Sequence, residues 1–185
     1  MSTQLKTNLW WALFIGVSSA LWCILYTAVE SALALPSADY VLWMSFVSLA
    51  LFFSVGDVKK IPGLCVCEIM GFLWAVLCLW IMGLMGGGNM ATLVGVTVAV
   101  ALCCAVHMGF AANTAIGYTH VVLGNFAMCF AVGGGNIITE GGANVLVIFI
   151  SLIGGMLLGW FMVIQGGWSA KLAGAKPDAD KEVAK

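Results

Sequence analysis

Gly56-Asp57-Val58-Lys59-Lys60-Ile61-Pro62-Gly63 runs directly into Leu64-Cys65-Val66-Cys67-Glu68-Ile69-Met70-Gly71-Phe72-Leu73-Trp74-Ala75-Val76-Leu77-Cys78-Leu79-Trp80-Ile81-Met82-Gly83-Leu84-Met85, and Gly86-Gly87-Gly88-Asn89 ends the run. A polar turn with two lysines is followed by an apolar stretch with a single charge and then by a glycine stop. Gly and Pro clusters punctuate helices in this way. The hydrocarbon core of a bilayer is roughly 30 Å thick, and a helix of about 20 apolar residues covers it. The stretch therefore reads as a membrane-crossing helix that enters from a lysine-bearing side.

The rest of the chain repeats this pattern. It is 63% hydrophobic and 8% charged, with a mean hydropathy of +1.10. A soluble domain carries about 25% charged residues, so this chain has too few to cover a water-facing surface. We expect an all-α membrane protein of six transmembrane helices, near 8–33, 38–55, 64–85, 90–107, 114–132 and 143–165. Residues 1–168 would form this domain and 169–185 a flexible cytoplasmic tail. The apolar run from Leu9 to Leu25 exceeds the roughly 7–15 residues of a secretory signal, so a retained first span is expected. Pro36-Ser37 breaks the chain after it. Only a tight join around Gly109-Phe110-Ala111-Ala112-Asn113 fits between spans four and five.

Cytoplasmic loops are enriched in Lys and Arg. The positive charges are Lys6, Lys59, Lys60, Lys171, Lys176, Lys181 and Lys185. Six spans with both termini cytoplasmic put all of them on one side and leave Asp39, Asn136 and Glu140 on the other. A multi-pass membrane protein follows, with the lipid bilayer as first partner. The net charge of −1 excludes nucleic acid as a partner, which would need a basic surface.

A faint repeat runs through the chain. Phe14-Ile15-Gly16-Val17-Ser18 matches Leu93-Val94-Gly95-Val96-Thr97 at an offset of 79. Tyr40-Val41 matches Tyr118-Thr119 at 78, and Phe53-Ser54-Val55-Gly56 matches Phe130-Ala131-Val132-Gly133 at 77. Three spans per half is odd, so the second half would lie inverted, as in many transporters with a site between the halves. Chance likeness among apolar, glycine-bearing segments is the alternative.

Polar groups in hydrocarbon are costly and tend to face a bundle interior or a watery cavity. The richest stretch holds His107, Asn113, Thr114 and His120, with Asn125 just beyond. These side chains would line a path for a small solute, or else would cap helices and bond between them; Asn113 or Thr114 would cap span five. Glu30 near the outer end of span one and Glu68 in span three would attract a cation, or act as ordinary interface charges. The seven Cys are scattered through apolar segments and read as packing residues. Cys65-Val66-Cys67 lacks a partner motif, so no metal site and no cofactor are expected. Ala12, Gly16 and Ala20, and Gly155 and Gly159, have the four-residue spacing of close helix contacts. That packing, with so few spans, suggests a homo-oligomer.

The Trp-rich first span, Gly-Asp-Val-Lys-Lys at 56–60, and His107-Met108-Gly109-Phe110 with Asn113 resemble the YcdZ-like family of uncharacterised bacterial inner-membrane proteins over about residues 8–165. The resemblance implies an inner-membrane location and supplies no catalytic residues. The chain has the size of a urea or amide channel protomer but no matching motif, and it lacks Asn-Pro-Ala. The expected function is a channel or facilitator for a small neutral or weakly basic solute. A proton- or cation-coupled carrier working through Glu30, Glu68 or the histidines is the alternative, and a non-transporting scaffold the third. No nucleophile–base pair or carboxylate pair stands at a recognisable spacing, so an enzyme is not expected.

Overall fold

Lipid offers no partner to a bare N–H or C=O, so apolar runs fold as helices that satisfy their own backbone. The computed structural model describes residues 1–34, 39–133 and 142–175, with side chains over 1–34, 42–130 and 147–175. Six helices follow one another: α1 (Thr3–Ala32), α2 (Asp39–Val55), α3 (Ile61–Leu84), α4 (Gly88–Cys104), α5 (Thr119–Gly133) and α6 (Gly142–Leu172). There is no strand among the described residues. Pro36-Ser37, the glycine-rich loop with Asn136 and Glu140, and the tail lysines Lys176, Lys181 and Lys185 lie outside them.

Local chemistry sets the helix ends. The Ser2 hydroxyl accepts from the Leu5 amide at 3.2 Å and caps α1. Asp57 accepts from the Lys59 amide at 2.9 Å, a 3₁₀ turn follows at Val58–Lys60, and Pro62 opens α3 where its missing N–H costs nothing. Gly86, Gly87 and Gly88 hold φ of 76°, 78° and 86°, which side chains rarely adopt, so the α3–α4 turn can be this short.

Among the described residues, four helices are long and apolar enough to cross a membrane: α1, α3, α6, and α4 with its continuation to Phe110. The other two are shorter. At 1.5 Å per residue the 17 residues of α2 and the 15 of α5 reach about 25 and about 22 Å. The helix expected to start at Thr114 begins instead at Thr119. Residues 111–118 are turned, because Gly117 comes so close to the Ala111 and Ala112 carbonyls that a Cβ there would overlap them.

α6 packs along α1 and α2, and α3 along α4 and α5. Contacts of α2 with α5 and of α3 with α6 join the two sets. α1 turns Leu9, Leu13, Val17 and Leu21 outward at one-turn steps, an apolar stripe suited to lipid. The Trp11 indole donates to the Met162 carbonyl at 2.8 Å and meets the Phe53 ring edge-on, which ties together the start of α1, the end of α2 and the last third of α6. The Lys60 ammonium lies 5.6 Å from the Tyr118 ring centre. Lys6, Lys59, Lys60 and Lys171 therefore share one end of the bundle.

Two crossings leave no room for a side chain. A Cβ on Gly71 of α3 would overlap the Val122 carbonyl of α5, and one on Gly155 of α6 would overlap the Ser45 carbonyl of α2. Gly71→Ala and Gly155→Ala are each expected to destabilise the protein by about 1–3 kcal/mol through overpacking. Around Gly16 a Cβ would meet nothing within 4 Å, so Gly16→Ala should hold or raise stability. Thermal unfolding in detergent compares the three. Equal midpoints would show that the crossings are looser than described.

Candidate functional site

The two glycine contacts frame the most polar layer of the interior. Glu68, two turns into α3, has no exposed surface. Ser48 from α2 is equally buried, and its hydroxyl has two acceptors: the Leu152 carbonyl of α6 at 2.7 Å and Glu68 Oε1 at 2.9 Å. Asn125 from α5, also buried, donates its amide to the Glu68 backbone carbonyl and accepts from the Cys129 thiol at 3.6 Å. One layer thus links α2, α3, α5 and α6. Glu68 Oε2 and the hydroxyl of Ser45, one turn from Ser48, are buried without a hydrogen-bond partner among the described residues.

Apolar side chains close this layer above and below. Toward the lysine end stand Phe52, Leu64, Val121, Val122 and Met156, each fully buried. Toward the other end stand Met44, Phe72, Cys129, Ile148 and Leu152. The carboxyl therefore lies in an occluded pocket of polarity, with no charged partner among the described side chains of α2, α5 or α6 at its level.

The layer is built twice in similar form. Gly71 meets the Val122 carbonyl and the Asn125 Cβ, while Gly155 meets the Ser45 carbonyl and the Ser48 Cβ. Asn125 donates to the Glu68 carbonyl, while Ser48 donates to that of Leu152. Val122 and Asn125 both follow Ser45 and Ser48 by 77 positions, and Gly155 and Leu152 both follow Gly71 and Glu68 by 84. The Glu68 side chain is the asymmetric element, since Leu152 occupies the corresponding place.

The other residues singled out in the sequence fall elsewhere. His107 is fully buried in a π-helical turn, Ala105–Phe110, closed by the Ala111 amide on the Val106 carbonyl at 2.8 Å. Its Nδ1 lies 2.7 Å from the Ile116 carbonyl, which can only accept, so Nδ1 carries the hydrogen. Its Nε2 accepts from the Trp74 indole at 3.1 Å. Both ring nitrogens are thus used in joining α3, α4 and the following turn. Asn113, Thr114 and His120 are exposed at the lysine end. Thr114 donates to the Ala111 carbonyl at 2.7 Å, and the His120 ring stands edge-on to Tyr118. Glu30 is buried near the far end of α1, one turn from Tyr26, whose hydroxyl is 2.6 Å from that of Ser151 in α6.

The structure therefore brings Glu68 and Asn125 together and leaves the other five apart from them. Sequence reasoning passed over Ser45, Ser48 and Gly71. Extending the 77-residue offset backward from Phe53 and Phe130 would have set Ser48 against Asn125.

An all-helical, largely apolar bundle with a carboxyl buried at its centre defines a membrane-embedded protein. The chain belongs to a family described as protein of unknown function (DUF1097), whose model matches residues 11–167. Comparison with curated proteins and with solved structures brings no match.

Removing the imidazole strands two groups. His107→Leu leaves the Trp74 N–H and the Ile116 carbonyl unpaired, each costing about 1–3 kcal/mol, and the thermal midpoint in detergent should fall clearly. Trp74→Phe removes the donor itself and leaves only Nε2 unpaired, so it should fall less. A His107→Leu protein as stable as wild type would show that these bonds do not hold the turn.

Proposed function

We propose that this protein is a small inner-membrane carrier that moves a small solute coupled to a cation or proton held at Glu68. The observation that carries the reading is the carboxyl buried at the meeting of four helices. An ionisable group inside a membrane is costly and marks a transport pathway more often than a structural contact. The duplicated crossings add to this. Under an exchange of α1 with α4, α2 with α5 and α3 with α6, every major helix packing maps onto another one. With alternating crossings α3 and α6 would run in opposite directions, and this exchange supports reading the two halves as an inverted 3+3 repeat. Short helices in corresponding places of two inverted halves point to the binding site, and here they are α2 and α5, which bring Ser48 and Asn125 to Glu68.

The apolar layers on both sides of Glu68 favour a carrier in a closed state over an open channel. The channel expected from the His107–His120 stretch has less to draw on. His107 is committed to Trp74 and Ile116, and the remaining polar residues of that stretch lie at the surface. In this layer, among the described residues, Glu68 Oε2 and the Ser45 hydroxyl are the polar groups left for a solute.

Proteoliposomes enclosing a pH-sensitive dye, challenged in turn with sodium, potassium, ammonium, methylammonium and urea gradients, test the reading. Wild type should move at least one of these at several times the rate of empty liposomes, and Glu68→Gln should bring that rate down tenfold or more. Rates equal to empty liposomes for the whole panel, or unchanged in Glu68→Gln, would sink it.

The shared lysine end supports a cytoplasmic placement of both termini. A fluorescent protein fused after Lys185 should then fold and glow in a bacterial host, while alkaline phosphatase fused there should stay inactive. The reverse pair of results would refute the orientation.

A further inference from the structure

Hydrogens are scarce in the polar layer. The Ser48 hydroxyl owns one hydrogen but lies within bonding distance of two acceptors, the Leu152 carbonyl at 2.7 Å and Glu68 Oε1 at 2.9 Å. A carbonyl oxygen has no hydrogen to give. If Glu68 were ionised, one hydrogen would have to serve both short contacts, and a carboxylate would sit in the bundle without a cation. The titratable groups around it are thiols: Cys65 and Cys67 on its own helix and Cys129 on α5. The described side chains of α2 include none, and the only one in α6 is Lys171, 19 residues from Leu152 and so about 28 Å along the helix.

We infer that Glu68 carries a proton in this closed arrangement, and that the proton, not a metal cation, is the ion this protein couples to. The inference rests on the carrier reading for its second half alone. With a hydrogen on Oε1 each donor is used once. The Cys129 thiol donates to Asn125 Oδ1, the Asn125 amide to the Glu68 carbonyl, the Glu68 carboxyl to Ser48 Oγ, and the Ser48 hydroxyl to the Leu152 carbonyl. The chain of donors passes from α5 through α3 and α2 to α6, and each of these four contacts has a hydrogen of its own. A chain in which each contact has its own hydrogen is stronger in a low-dielectric interior than one in which a hydrogen is shared, and it leaves Glu68 Oε2 and the Ser45 hydroxyl as the atoms of this layer without a partner among the described residues.

A metal cation finds little here. Hard cations take about six or more oxygens. The Leu152 and Glu68 carbonyls and Asn125 Oδ1 already accept hydrogens, which leaves Glu68 Oε2 and the Ser45 hydroxyl. No group of three or more His, Cys, Asp or Glu able to hold a metal stands among the described residues. Loading is a simple proton transfer. A lone pair on Oε1 takes a proton from hydronium, the O–H bond of hydronium breaks, a water is left behind, and no electrons change hands. Release reverses this step once the layers of Phe52 and Leu64, or of Met44 and Phe72, part to admit water.

Infrared spectroscopy of the full chain in lipid nanodiscs, with carbon-13 in its glutamate carboxyls, reads the proton directly. At pH 7 wild type should show a carboxylic-acid carbonyl band that Glu68→Gln removes. The glutamine amide still reaches Ser48, so that variant should fold, and thermal unfolding checks it. Ser48→Ala should keep the band and shift it, because the acid loses its acceptor. Glu68→Asp, if Gln fails to fold, should move the band without abolishing it. Spectra in which Glu68→Gln removes only a carboxylate band, or in which sodium or potassium erases the acid band of wild type, would overturn the inference. A persistent acid band together with no solute flux in liposomes would instead remove the carrier reading and leave the proton in place.

Discussion

A polar side chain in hydrocarbon has no water to turn to, so its partners must come from the protein itself. Glu68 imposes that condition on the centre of this molecule. Placed two turns into α3, it requires donors or acceptors from neighbouring helices at its own level. Those helices must approach closely enough to deliver short side chains such as Ser48 and Asn125. The closeness comes from Gly71 and Gly155, where the backbones of α3 and α5, and of α6 and α2, touch with no side chain between them. In lipid, small residues of this kind drive helix association, because apolar burial supplies little force between helices already bathed in apolar tails. The polar layer and the glycine crossings are therefore one device: neither arrangement is useful without the other.

The outer helices serve that core. α1 clasps α6 through Trp11 to the Met162 carbonyl, Gln165 to the Ser18 hydroxyl at 2.6 Å, and Tyr26 with Ser151. α4 lies along α3 through Gly95, which fits against Met82 and the Cys78 carbonyl, and through the His107 turn. Each long outer helix thus shields one member of the α3–α6 pair from lipid, and the two short helices are left to meet that pair from within.

Much of this was legible in the sequence, and the part that was not has a physical explanation. Apolar runs bounded by Gly, Pro and Lys announce helices and their order, because lipid permits little else. The shared lysine end is equally plain, since charge asymmetry is a property of loops and survives any detail of packing. The helix lengths are less plain: Thr114 offers a fair N-cap, yet α5 waits until Thr119 because Gly117 folds back on the Ala111 and Ala112 carbonyls. The centre is the least visible. Ser45 and Ser48 look like two small polar residues in an apolar run, and what distinguishes them is that Gly155, over a hundred positions away, presses against them. Polarity singles out Glu68 and Asn125, which the fold buries side by side, but it weighs His107 alongside them. It could not reveal that the imidazole is satisfied by Trp74 and Ile116 while one carboxyl oxygen of Glu68 is not. Satisfaction is a matter of three-dimensional partners, and the sequence carries only the demand for them.

The asymmetry at the centre bears on the proposed mechanism. If the halves are inverted copies, a strictly symmetric layer would place a second carboxyl at position 152, facing the first in a low-dielectric interior. Two like charges there would repel strongly, and two acids would compete for the same Ser48 hydroxyl. Leu152 avoids both outcomes and contributes its backbone carbonyl instead, which accepts from Ser48 as the Glu68 carbonyl accepts from Asn125. One carboxyl between two matched arms is addressed equally by either half. Opening the layer of Phe52 and Leu64 or that of Met44 and Phe72 would then expose the same group to opposite faces of the membrane, which is the requirement that alternating access places on a single site.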